Sequence, residues 1–147
     1  MTNRVLCLLA VLISLPAFAD DLADAVSKDY DEHLAGLFDH FHRNPELSTI
    51  EHETARRMAM ELSLAGFDVT EGVGGTGVVA MLENGDGPLV MMRADMDGLP
   101  VEEKSGLENA SRAKQIDPIT GNEVFVMHAC GHDVHITSLV GTARHMA

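Results

Sequence analysis

The chain has 147 residues, 46% of them hydrophobic and 22% charged, with a mean hydropathy of +0.05. This is the composition of a folded, soluble protein rather than a disordered one. Ten Lys and Arg stand against 23 Asp and Glu, a formal charge of −13, which argues against nucleic acid as a partner and against docking on an anionic membrane, since both need clustered cations.

Residues 1–19, MTNRVLCLLAVLISLPAFA, place Arg4 ahead of an apolar run from Val5 to Leu15, then Pro16 and Ala17-Phe18-Ala19. A basic start, an apolar core too short to span a bilayer and an A-x-A site predict a secretory signal peptide. Cleavage after Ala19 makes Asp20 the first mature residue and the protein exported, periplasmic or secreted, with no membrane association afterwards. The alternative is an uncleaved N-terminal anchor. Cleavage removes Cys7 and leaves Cys130 as the only cysteine. An intramolecular disulfide is then impossible, and an odd thiol in an oxidising compartment calls for burial, ligation or pairing with another chain.

In the mature segment 20–147, Leu34, Leu37, Phe38 and Phe41 recur at helical spacing, so one helix is expected from Asp20 to His42. Asp20, Asp21 and Asp24 suit its positive end, and Asn44-Pro45 stops it. Ser48 three residues before Glu51 predicts a capping box for a second helix. Ala55, Met58, Ala59 and Leu62 form that helix's inner face, and Gly66 its C-terminal stop. The period then changes. Phe67–Val69, Val78–Leu82 and Leu89–Arg93 read as strands, the last buried on both faces, with Asn84-Gly85-Asp86-Gly87 as the hairpin turn between the latter two. Residues 101–123 read as a long loop or weak hairpin, and Val124–Val126 as a short strand. A final helix begins near Gly131 with Ile136, Leu139, Val140 and Ala143 inward. This order is an α/β layout. The chain stops at His145-Met146-Ala147, inside the final helix, so the expectation is a truncated or partial product.

Three segments carry potential chemistry. Gly72-Val73-Gly74-Gly75-Thr76-Gly77 matches G-x-G-x-x-G, but a strand follows where a nucleotide site needs a helix, so a turn between strands is the better account. In Arg93-Ala94-Asp95-Met96-Asp97, two acids two apart point the same way along an extended chain and can face one site. The bland alternative is a pair of solvated acids, locally neutralised by Arg93. His128-Ala129-Cys130-Gly131-His132-Asp133-Val134-His135 gathers three His, one Cys and one Asp at a strand-to-helix junction. Thiolate and imidazole suit zinc and related divalent ions, and Asp133 is placed to orient an imidazole. A buried Cys beside surface histidines is the competing reading. His33, His40, His42, His52 and His145 fall on predicted helices and read as surface or packing residues.

Together, HRNPELSTIEHETA, VVAMLENGDGPLVMMRADMDGLPVEEKSGL and MHACGHDVHITSLVGTARHMA resemble the start of a metal-dependent amidohydrolase/aminoacylase. The family contains hippurate hydrolase, auxin-conjugate amidohydrolases and N-acetyl-diaminopimelate deacetylase. The resemblance covers nearly all of residues 30–147. It implies the N-terminal part of an α/β/α sandwich, a zinc-peptidase-like catalytic domain, with the family's inserted dimerisation domain absent. It also implies Cys130 and His132 as ligands, the sulfur bridging two divalent metals, with Zn, Mn, Co and Ni not distinguishable. Asp97 resembles the acid that supports the metal centre, and Asp95 stands where relatives put a His ligand; both are assigned, with Asp133, to support the ligands rather than bind metal.

The family's general-base Glu and its remaining ligands are not found in residues 1–147, so no catalytic residue is identified and the chain alone is expected to be inactive. The function implied for a longer enzyme is hydrolysis of an amide bond in N-acyl amino acids or related small amides, with full-length relatives homo-oligomeric. The alternatives are a truncated, non-catalytic remnant that binds metal weakly or not at all, and an interaction module that pairs through Cys130.

Overall fold

Helical periodicity in the first segment becomes one nearly continuous rod. In a computed structural model, which describes residues 18–147, α1 (Phe18–Asp29) runs through a π-helical turn (Tyr30–Leu34) into α2 (Ala35–Arg43). Most of the expected signal peptide therefore lies outside the described residues. Leu34, Leu37 and Phe41 are buried and Phe38 is half-buried, as the spacing predicted. The rod ends where Asn44 turns back, its Nδ2 donating to the His40 carbonyl at 2.7 Å.

The next helix, α3 (His52–Leu64), starts differently from expectation. Ser48 does not cap it. Thr49 adopts φ 74°, and the Glu46 carboxylate accepts instead from the backbone N–H groups of Glu53 at 3.2 Å and Thr54 at 2.7 Å. The left-handed residue folds the chain so that an acid six residues upstream reaches the free donors of the first turn, and its charge suits the positive end. At the other end Gly66 (φ 92°) donates to the Ser63 carbonyl and Phe67 to that of Leu62, the two-bond Gly-terminated stop expected from the sequence. Ala55, Met58, Ala59 and Leu62 are all buried.

β1 (Asp68–Val73) and β2 (Gly77–Met81) form an antiparallel hairpin, Val69 opposite Ala80 and Glu71 opposite Val78. The glycine-rich run makes its turn, with Gly74 at φ 67° and Gly75 at φ 120°, so the turn reading holds. The Thr76 hydroxyl donates to the buried Glu51 carboxylate, which ties this turn to the start of α3. Phe67, Val69, Val78 and Ala80 pack on the core.

The expected strand at Leu89–Arg93 is not formed, nor is a hairpin at Asn84–Gly87. Residues 88–96 carry no regular secondary structure and pair with no strand among the described residues, and Leu89 and Met91 are each 85% exposed. An apolar run becomes a two-sided buried strand only when neighbours bond both its edges and layers cover both its faces; neither condition holds here. Further on, β3 (Lys114–Ile116) and β4 (Glu123–Phe125) form the weak hairpin, and α4 (His132–Met146) closes the described chain.

The core joins Leu34, Leu37 and Phe41 to Met58 and Leu62 of α3 and to Ile136, Val140 and Ala143 of α4. Beside it three extended segments lie edge to edge. Leu47 bridges Gly98 in parallel and Leu99 bridges Met127 antiparallel, with Gly98 N donating to the Glu46 carbonyl at 2.6 Å and Leu99 N to that of Met127 at 2.8 Å. These crossings deliver Asp97 and His128 to the same end of α4. No described helix is long and apolar enough to cross a membrane.

Candidate metal centre

Residues 128–132 make a tight turn between the Met127 bridge and α4. Gly131 N donates to the His128 carbonyl at 2.9 Å, and Gly131 itself sits at φ 72°, ψ 26° as the residue that opens the helix. That left-handed conformation is accessible to glycine without the steric cost a side chain incurs. It sets Cys130 and His132 on either side of one reversed residue at the positive end of α4, with Cys130 exposed.

His132 is held from behind. Its Nδ1 lies 2.9 Å from the Asp97 carbonyl and 3.0 Å from Asp97 Oδ1. Both neighbours are acceptors, so Nδ1 carries the proton and the lone pair is left to Nε2, the tautomer a metal ligand needs. Asp97 thus touches the residue it was expected to support. Asp95, two residues earlier, pairs with the Arg93 guanidinium instead, so the two acids do not converge.

His128 is 7% exposed, and neither ring nitrogen has a hydrogen-bond partner. Burial pushes its pKa down, against the opposing charge of Asp133, and so keeps the ring neutral. Leaving both nitrogens of a buried imidazole unpaired costs about 1–3 kcal/mol, and such an orphan beside Cys130 and His132 fits a site built for a cation. The donor types present, thiol and imidazole, suit borderline-soft divalent metals. Among the described residues, however, no three His, Cys, Asp or Glu side chains are grouped closely enough to hold one ion. The His132 and His135 rings lie 5.4 Å apart between centroids.

Asp133, the other expected supporting acid, is buried and does orient an imidazole, but that of His42 on α2. His42 Nδ1 donates to Asp133 Oδ2 at 2.7 Å, and its Nε2 lies 3.4 Å from Glu103 Oε1. His42 is therefore not the ordinary surface or packing residue expected from its helical position. It follows Phe41 at the rim of the buried face, and a polar residue there gains its partners only when α4 and the 103 loop arrive. Glu103 had no signal in the polar stretch around it. Burial raises its pKa, but hydrogen bonds from Ser105 and the Ser111 N–H, together with the field of His42, outweigh this and hold the carboxyl below its ordinary value. Of the other helical histidines, His33 pairs with Glu61 and His145 lies beside Asp29, while His40 and His52 are exposed.

Residues 91–147 match the model of Peptidase family M20/M25/M40. The chain is 41% identical over 107 residues to the hippurate hydrolase of Campylobacter jejuni, covering 72% of this chain and 25% of that protein. It is 40% identical over 114 residues to the N-acetyl-L-cysteine deacetylase of Bacillus subtilis, covering 77% of this chain and 25% of that protein. Among solved structures it superimposes on the Bacillus subtilis YxeP protein, a dinuclear metal-binding peptidase of the M20 family, with a TM-score of 0.68 and 33% identity over 81% of this chain and 31% of that one. The chain thus spans less than a third of the length of each, and its mixed helices and strands correspond to part of an M20-type catalytic domain. The matched segment contains Asp97, Cys130 and His132, the residues on which the sequence resemblance turned, and it is through residues 91–147 that the chain matches the peptidase family M20/M25/M40.

Proposed function

We propose that this chain is the N-terminal part of the catalytic domain of an exported, metal-dependent amidohydrolase acting on N-acyl amino acids or related small amides. Export rests on residues 1–19, read as a leader cleaved after Ala19. The amide substrate is supported by the hippurate hydrolase and deacetylase relatives, and divalent metal by the dinuclear M20 neighbour. The observation that carries the reading is His132, its Nδ1 fixed by Asp97 and its free nitrogen one left-handed glycine away from an exposed thiol.

In this reading Cys130 and His132 hold the metal, with Asp97 fixing the imidazole. A divalent metal held there would supply a lowered pKa for water and polarisation of the amide carbonyl. This chain's own part is to present sulfur and nitrogen in a preset arrangement, so that little ordering entropy is lost on ligation. The general base and the remaining ligands are assigned to the counterpart of the relatives' length outside this match.

Titration of the chain with Co(II) tests the proposal. A sulfur-to-cobalt charge-transfer band is expected for the wild type, lost in Cys130→Ala, with affinity at least about tenfold weaker in His132→Ala. Equal cobalt binding by the wild type and both variants would refute the ligand assignment.

A further inference from the structure

His42 belongs to none of the segments read as ligands, yet it reaches both ends of the turn that carries them. On the C-terminal side it donates through Nδ1 to Asp133 at 2.7 Å, the residue after His132. On the N-terminal side its Nε2 faces Glu103 at 3.4 Å. Glu103 accepts from Ser111 N at 2.6 Å, and the Ser111 hydroxyl donates to the Val126 carbonyl at 2.7 Å, two residues before His128. One imidazole on α2 thus braces residues 126 and 133, between which Cys130 and His132 lie.

The brace is itself fixed. One face of the ring packs on Phe38, with centroids 5.5 Å apart and planes 31° apart, and the side chains of Asp133 and Glu103 are 4% and 3% exposed. Ser105 also donates to Glu103 at 2.6 Å, so that carboxylate cannot swing away without losing two further donors. Of the two arms, the one to Asp133 has hydrogen-bond geometry and the one to Glu103 does not.

We propose that His42 is a positioning residue for the metal centre, acting through its Nδ1 bond to Asp133 to hold the Cys130–His132 turn in its ligating shape. This rests on the reading of Cys130 and His132 as ligands. It makes a distinction that a packing role does not. Asn carries its amide nitrogen near the Nδ1 position of histidine and Gln near the Nε2 position, so His42→Asn retains the bond to Asp133 while His42→Gln retains only the contact to Glu103.

The experiment is Co(II) titration of the whole chain, wild type and His42→Asn, His42→Gln and His42→Ala, read at the sulfur-to-cobalt band, with urea midpoints measured alongside. Gln and Ala are expected to weaken cobalt binding by about tenfold and Asn by no more than about threefold, the range typical of groups that support a ligand from behind. Asn and Gln variants with equal affinity, or affinities that simply follow the urea midpoints, overturn the positioning role. A wild type without the band overturns the ligand reading itself, so the two failures are told apart before any variant is compared.

Discussion

Gly98 stands where the three extended segments meet, and replacing it with Ala is the sharpest test of that packing. A methyl group built on its backbone would lie 2.7 Å from Val126 Cγ1, 2.9 Å from Pro45 Cβ and 3.3 Å from the Glu46 carbonyl oxygen. Carbon atoms prefer about 3.5–4.0 Å, so the new group overlaps two neighbours at once. Neither can yield easily, because Val126 and Pro45 are among the most completely buried side chains. Overpacking of this kind costs about 1–3 kcal/mol. The displaced segment also carries the Gly98–Glu46 backbone bond, and Glu46 in turn caps α3, so the upper half of that range is expected. Gly36, on the exposed side of α2, is the control: a methyl there meets nothing within 4 Å, and Gly36→Ala should stabilise by up to about 1 kcal/mol through backbone entropy and helix propensity. Urea unfolding followed by helical circular dichroism reads both, as shifts of the midpoint in opposite directions at unchanged slope. A Gly98→Ala protein as stable as the wild type would show that these segments do not pack as described.

Three other predictions use the same reasoning. Glu46→Ala should lose about 1 kcal/mol of stability by removing the α3 cap, whereas Ser48→Ala should stay within about 0.5 kcal/mol; the reverse order in urea would restore the capping box. Leu89→Lys and Met91→Lys should each change stability by less than about 0.5 kcal/mol, since both side chains are already in solvent, and a loss of several kcal/mol would mean that the run is a buried strand after all. The acid limb of stability should depend on Asp29, Glu61 and Glu103. The Arg144 hydrogen bond chiefly lowers the Asp29 pKa below 3.8; at Glu61 burial opposes the shift, but Arg57 and His33 overcome it and lower the value below 4.5. The unfolded chain therefore binds these protons more readily, so their stabilisation is fully present above the ordinary carboxylate values and disappears as pH falls through the lowered ones. Thermal midpoints should begin to fall below about pH 6.5, where burial lowers the His128 pKa and the unfolded chain takes up that proton more readily, and fall further below about pH 5 as the carboxylates are protonated, this acid limb being less steep in Arg144→Ala; an identical acid limb in that variant would remove Asp29 from the account.

Helix positions and stops were legible along the chain because they are local properties. Leu34, Leu37 and Phe41 share a face by spacing alone, and Gly66, Gly74 and Gly75 occupy backbone conformations that other residues reach only at a cost. The Cys130–His132 pair stood out for the same reason, two ligand types separated by a glycine at a helix start. Asp97 stood out with Asp95 by spacing and took its supporting role from resemblance, but its hold on His132 is a contact across 35 positions of sequence.

What tertiary structure alone decided was everything that depends on a distant partner. The apolar run at 89–92 has the composition of a buried strand, yet burial is conferred by neighbours, and none among the described residues flanks it. Ser48 and Glu46 were both available to cap α3, and the left-handed turn at Thr49 chose between them. His42 gained its role only when α2, the 103 loop and the first turn of α4 came together. A sequence encodes each residue's local preferences, but a polar group's function is set by which acceptors the fold brings within about 3 Å of it, and that is a property of the assembled chain.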